Sequence, residues 1–226
     1  MKKNRMLKAA LGLGAAMSLW MGLYAYGAQS SVIESVSVSF KTIYGEPEEI
    51  PEPEVTVSGK SCSLGDVQYR TDYDNWKPGR KVRVEVTVVA EDGKYFPATL
   101  NRSKCKVTGA DFVSSKALDD SSLQVKADYR PVTVLGDTQK AGWSSTSKKK
   151  AVWKSVEYAP GYTLTLYGDN KVVKRITVES NSVNLADYMT DMDKTYYYEV
   201  KAVPVTSDEK KYLKEGQYVT STDQEF

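Results

Sequence analysis

The sequence predicts an all-β protein, two consecutive β-sandwiches behind an export leader. Three observations carry that prediction. Apolar residues alternate with polar ones, as in Val82, Val84, Val86 and Val88 against Arg83, Glu85 and Thr87, and nowhere recur convincingly at the helical period. Sixteen tyrosines together with many Val and Thr suit extended chain better than helix. Gly, Pro and Asp turns separate these runs roughly every ten residues, the spacing of a sandwich.

Residues 1–28 read as the leader. Lys2, Lys3, Arg5 and Lys8 precede a stretch of uncharged, mostly apolar residues from Ala9 to Ala28, in which Ala25 and Gly27 occupy the −3 and −1 places of a cut before Ala28. A cut after Ala28 is the neighbouring option, and an uncleaved segment of this length is long enough to span a bilayer. The expected location is secreted, extracellular or associated with the cell surface, with no membrane contact once the leader is cleaved. No Cys precedes Cys62, so no lipid-modified cysteine is expected at the cut, and no sorting motif for wall attachment lies near Phe226.

Residues 29–130 are expected to form the first sandwich. Val36, Val38 and Phe40 open it as a strand. Gly45 to Glu54 carries three prolines and five glutamates and reads as a turn or an exposed edge crossing, since Pro cannot donate to a ladder. Val55 and Val57 resume extended chain. Lys81 to Ala90 is the clearest strand, introduced by Pro78-Gly79 and turned back by Glu91-Asp92-Gly93, with Tyr95 and Phe96 following. Lys104 to Val107 and Leu123 to Tyr129 complete the set.

Residues 131–226 form the second sandwich. The run Lys148-Lys149-Lys150 reads most simply as a solvated turn before a strand holding Trp153. Tyr162, Leu164 and Leu166 alternate up to the turn Gly168-Asp169-Asn170. Val172, Val173 and Ile176 follow, then Val183 and Leu185, then Tyr196, Tyr198, Val200 and Ala202, and a last strand between Gly216 and Thr222.

This second order of residues resembles a fibronectin type III domain over about residues 132–224. Trp153 stands where the family's second strand carries its core Trp, Tyr162 opens the next strand, and Tyr196-x-Tyr198-x-Val200-x-Ala202 matches a later one. The resemblance implies that Tyr196 is the corner tyrosine, its hydroxyl bonded to nearby backbone. The first sandwich is expected to be immunoglobulin-like or fibronectin type III-like, with its strand order open. The stretches AVWKSVEYAPGYTLTLYGDNKVVKRI and NLADYMT…YYYEVKAV are also similar to exported Firmicutes proteins, which often carry cell-wall-binding repeats after such a domain; no such repeat precedes Phe226.

Several chemistries are disfavoured at the outset. The chain has no His, which removes the usual base at neutral pH and the commonest transition-metal ligand. The formal charge of +2 becomes −2 without the leader's four bases, so no general attraction to nucleic acid is expected. Asp72 and Asp74, Asp119 and Asp120, and Asp191 and Asp193 sit in turn-like contexts, where Asp bonds its own backbone, and are not read as paired acids of a glycosidase. Asp191-Met192-Asp193 lacks the further oxygen ligands of a calcium loop. No catalytic residue, metal or cofactor is expected.

Two pairs of residues remain as handles. Cys62 and Cys105, an even pair in an exported chain, are candidates for a disulfide that would contribute roughly 4 kcal/mol, the alternative being two buried thiols. Trp76 and Trp143 are the candidate ligand-binding residues, because an exposed indole stacks on a sugar ring or anchors a protein; the competing reading has Trp76 capping the first core and Trp143 packed at the domain junction. The expected function is a non-catalytic binding or adhesion module at the surface of a Gram-positive bacterium, its partner a cell-wall glycan or an extracellular protein. The alternative is a structural spacer that presents another module.

Overall fold

The structure is a computed structural model that describes residues 31–225; the leader and Phe226 lie outside the described residues. It is all-β, with no α-helix among the described residues and two single 3-10 turns, at Tyr73–Asn75 and Glu209–Lys211. The first half runs β1 (Ser31–Val32), β2 (Val36–Lys41), β3 (Glu54–Ser58), β4 (Cys62–Tyr69), β5 (Val82–Ala90), β6 (Lys94–Tyr95), β7 (Cys105–Thr108), β8 (Asp111–Ala117) and β9 (Ser122–Tyr129). A three-stranded sheet ordered β3-β2-β7 faces a four-stranded sheet ordered β4-β5-β9-β8. The valine alternation of β5 sets this core. Val84, Val86 and Val88 pair with Tyr69, Val67 and Leu64 on one side and with Ala127, Val125 and Leu123 on the other. Each fully buried valine contributes about 1.5–3 kcal/mol. Val82, Val84, Val86 and Val88 are buried, while Val89, on the opposite face of the same strand, is exposed.

The second half runs β10 (Thr133–Val134), β11 (Gln139–Ser144), β12 (Ser147–Lys154), β13 (Gly161–Gly168), β14 (Lys171–Val178), β15 (Ser182–Asn184), β16 (Tyr196–Val203), β17 (Leu213–Lys214) and β18 (Val219–Thr220). Its sheets are ordered β11-β12-β15 and β14-β13-β16-β18. Tyr162, Leu164 and Leu166 on β13 oppose Ala202, Val200 and Tyr198 on β16, so two alternating runs bury one shared face. The β13–β14 hairpin closes through Asp169 and Asn170, both at positive φ, the conformation that a two-residue turn between twisted strands requires. The two halves have separate cores, one drawn from Ile33 to Tyr129 and the other from Leu135 to Leu213, and the Tyr158 ring packs against both.

The strands differ from the sequence reading in several places. β4, β8 and β11, and the two-residue strands β1, β10 and β17, were not anticipated. β4 is broken by a bulge between Leu64 and Asp66, β8 by one between Phe112 and Ser114, and β11 by two, so no clean alternation marks them. The Lys148-Lys149-Lys150 run is not a turn; it lies inside β12, where only one face needs to be apolar.

Backbone bonds join the halves. Glu48 N donates to Val134 O at 2.8 Å and Gly79 N to Pro131 O at 2.9 Å, while the buried Thr133 hydroxyl donates to Glu49 O at 2.6 Å. The acidic, proline-rich crossing between β2 and β3 is therefore the edge on which the second half docks.

Candidate functional site

The junction shapes a cleft of about 290 Å³ whose walls come from both halves. Tyr73, Asp74 and Trp76 reach it from the turn between β4 and β5, Glu48 and Glu49 from the acidic crossing, and Tyr158 from the loop between β12 and β13. Tyr73 is 47% exposed, its hydroxyl donating to Ile50 O. Its ring lies 5.2 Å from that of Trp76 at a tilt of 44°. Two residues of the cleft hold positive φ without being glycine: Glu48 at 67° and Tyr158 at 59°. For a bulky side chain this costs on the order of 1–3 kcal/mol and persists where surrounding contacts impose it. Tyr158 is held there by both cores. Its phenol is pushed up from its ordinary value by burial, by a hydrogen bond with Glu157 and by the charges of Glu157 and Glu48. Aromatic rings beside three carboxylates offer apolar stacking faces and a negative field together, which suits a ligand that has both apolar and hydrogen-bonding or cationic parts.

Of the two tryptophans singled out in the sequence, Trp76 contributes only its rim. It is 3% exposed, edge-on to Tyr69 at 4.9 Å, and its Nε1 donates to Thr71 O at 3.1 Å. Its faces are covered by the first core, and the more exposed ring at the cleft is that of Tyr73. Trp143 lies far from this cleft in sequence and fold, half-buried on β11, perpendicular to Tyr198 at 5.1 Å and donating from Nε1 to Thr222 O at 2.8 Å. It packs on the second core and away from the junction. Sequence reasoning missed Tyr73, Tyr158, Glu48 and Glu49; the first half brings Tyr73 to the acidic crossing through its bond to Ile50 O, and only Tyr158 is added by the second half. The one available signal was the density of Glu between Gly45 and Glu54.

Cys62 and Cys105 differ from the disulfide expectation, since the structure has both as buried free thiols. They stand on facing sheets, Cys62 paired with Ala90 and Cys105 with Val36. Burial pushes the Cys105 thiol up to about 11; burial, and then the charge of Glu91, raise that of Cys62. Neither is a ready thiolate at neutral pH. The Tyr196 hydroxyl accepts from the backbone N–H of Asp191 at 3.3 Å. Among the described residues no group of three or more Cys, Asp or Glu side chains is arranged to hold a metal ion, and no helix is long and apolar enough to cross a membrane. No protein-family model matches the chain, and no curated protein matches it.

Proposed function

We propose that this chain is a non-catalytic binding or adhesion module at a bacterial cell surface, exported by its leader, which meets a glycan or protein ligand at the cleft between its two sandwiches. The observation that carries this reading is the convergence of Tyr73, Trp76 and Tyr158 with Glu48, Glu49 and Asp74 at a junction pinned by backbone hydrogen bonds. A shallow, partly aromatic depression with two residues at positive φ is a surface on which a binding site can be built. We further read the second sandwich as fibronectin type III-like. Its three-plus-four strand order, the core position of Trp153 and the Tyr196–Asp191 contact support that reading.

The test is co-sedimentation of the purified protein with isolated Gram-positive cell walls, against wall-free and albumin controls. Specific pelleting that Tyr73→Ala abolishes, with an unchanged thermal transition, is the expected result. Protein that stays in solution removes direct wall binding. The second reading, a rigid spacer, is favoured by one specific observation: the Glu48–Val134, Gly79–Pro131 and Thr133–Glu49 bonds fix the angle between the halves.

A further inference from the structure

The outer face of the β11-β12-β15 sheet is rich in lysine, and its contact with an acidic residue is that of Lys148 Nζ with the Glu225 backbone O at 3.5 Å. These three strands read QKAGWS, SKKKAVWK and SVN, with five lysines and no carboxylate. The second half as a whole is balanced, with thirteen basic and thirteen acidic residues from Pro131 onward, so the asymmetry is local. In β12 the alternation turns Ala151 and Trp153 into the core and leaves Lys148, Lys150 and Lys154 exposed on the opposite face. Lys149, the middle residue of the run, turns the other way and donates to Met189 O at 2.7 Å. Lys140 joins the exposed set from a bulge on β11, where its φ is 54°. None of Lys140, Lys148, Lys150 and Lys154 has an ion-pair partner among the described residues, whereas Lys41, Lys81, Lys126, Lys194, Lys201 and Lys211 all do.

Edge protection does not account for these lysines. Charges that block strand addition belong on edge strands, and β12 is the central strand of its sheet. Lys148 and Lys150 stand about 6.6 Å apart along the strand at 3.3 Å per residue, so their positive fields overlap and add toward an anionic ligand. The surface beside them is low. Gly142 lies opposite Val152 with open space where a side chain would be, and the other cross-strand neighbours are Ser182 and Asn184. Val152, half-buried between Lys150 and Lys154, adds a small apolar floor.

From this we infer that the β11-β12-β15 face binds a linear anionic polysaccharide, its carboxylate or sulfate groups paired with Lys148, Lys150 and Lys154 and its hydroxyls with Ser182 and Asn184. Lysine supplies point charges that do not demand planar, two-pronged geometry, which suits a flexible polyanion. A single-stranded nucleic acid would need exposed rings to stack on. The face has none, since the Trp143 ring is engaged with Tyr198 and Thr222. This inference names a ligand class for the binding reading above but uses a different surface, so the two fail separately.

The experiment is titration of the purified protein with heparin and with polygalacturonate at several salt concentrations, with neutral dextran and single-stranded DNA in parallel. The expected result is binding of both anionic polysaccharides that weakens steadily with salt, none of dextran, and weaker binding of DNA. Lys148→Glu/Lys150→Glu/Lys154→Glu should weaken binding by about tenfold or more, since each contact is electrostatic. Lys106→Glu/Lys116→Glu on the first sandwich should leave it unchanged. A triple Lys→Ala variant, which removes charge without adding any, serves if the reversal disturbs folding. Equal binding by wild type and either triple variant, or DNA binding as tight as that of the polysaccharides, overturns the inference. Loss of wall pelleting on Tyr73→Ala with heparin binding intact separates this face from the cleft.

Discussion

Tyr198 spans the second core and closes a two-way exchange with Gly142: its hydroxyl accepts from Gly142 N at 2.8 Å and lies 2.6 Å from Gly142 O. Val152 O lies 2.7 Å from the same hydroxyl. One side chain from β16 thus serves backbone groups of β11 and β12 where a bulge interrupts their ladder. Burial raises the phenol to about 12, outweighing the hydrogen bonds to Gly142 and Val152, so it stays protonated at neutral pH. Tyr198→Phe leaves those backbone groups unpaired inside the protein and is expected to cost about 1–3 kcal/mol in urea unfolding. An unchanged midpoint would show that the hydroxyl does not tie the sheets together.

Glu85 is a second place where polar chemistry holds strands together. Although on the outer side of β5, it is 6% exposed, covered by Arg70, by Lys126 at 3.0 Å and by Gln124 at 3.0 Å. The hydrogen bonds from Arg70 and then Lys126 lower its carboxyl from 4.5 to about 2. A lowered folded pKa means stability that is present above the unfolded value and lost as pH falls towards the folded one. Thermal midpoints of wild type should therefore drop between about pH 4.5 and pH 2, and Glu85→Gln should drop less over the same window. Parallel curves for the two proteins would refute the assignment.

Thiol counting addresses the cysteines. With no reductant present, a thiol reagent should titrate two groups per chain in denaturant and react slowly with both in the native state, because Cys62 and Cys105 are buried and Cys105 titrates only near 11. Absence of titratable thiol in denaturant would mean that the pair is oxidised.

Gly109 sits at φ 75° between β7 and β8, where an added Cβ would lie 1.9 Å from Phe40 O. Gly109→Ala combines a disfavoured backbone conformation with a collision against main chain that cannot rotate away. The expected loss is at least about 2 kcal/mol, read by denaturant unfolding. Gly93→Ala shares the positive φ but has open space around it, and should cost less.

Thr133→Val keeps side-chain volume and removes the hydrogen bond to Glu49 O. A loss of about 1 kcal/mol is expected, together with separation of a single unfolding transition into two as the halves uncouple. A single transition at the wild-type midpoint would mean that the junction does not depend on this bond.

Much of the fold was legible because its cause is local. Val82, Val84, Val86 and Val88 of β5, Leu164 and Leu166 of β13, and Tyr196, Tyr198, Val200 and Ala202 of β16 stand at every second position, and alternation by itself assigns one face to a core. Strands whose ladders carry bulges, such as β4 and β11, left no such trace, because each extra residue reverses the alternation midway. The lysines of β12 hid a strand for a different reason: one solvent face tolerates any charge, so composition there says nothing about backbone conformation.

The candidate site was legible only in part. Trp76 marked the right turn, but its indole went into the core and the exposed ring fell to Tyr73, three residues earlier. The sequence by itself determined the all-β class, the alternating faces and most of the turns, since these follow from side-chain spacing and backbone preference within about ten residues. Tertiary structure alone decided that Glu48 and Tyr158 meet at one cleft and that Lys148, Lys150 and Lys154 share a central strand's outer face. Both depend on contacts between residues far apart in sequence, and no local preference encodes such contacts.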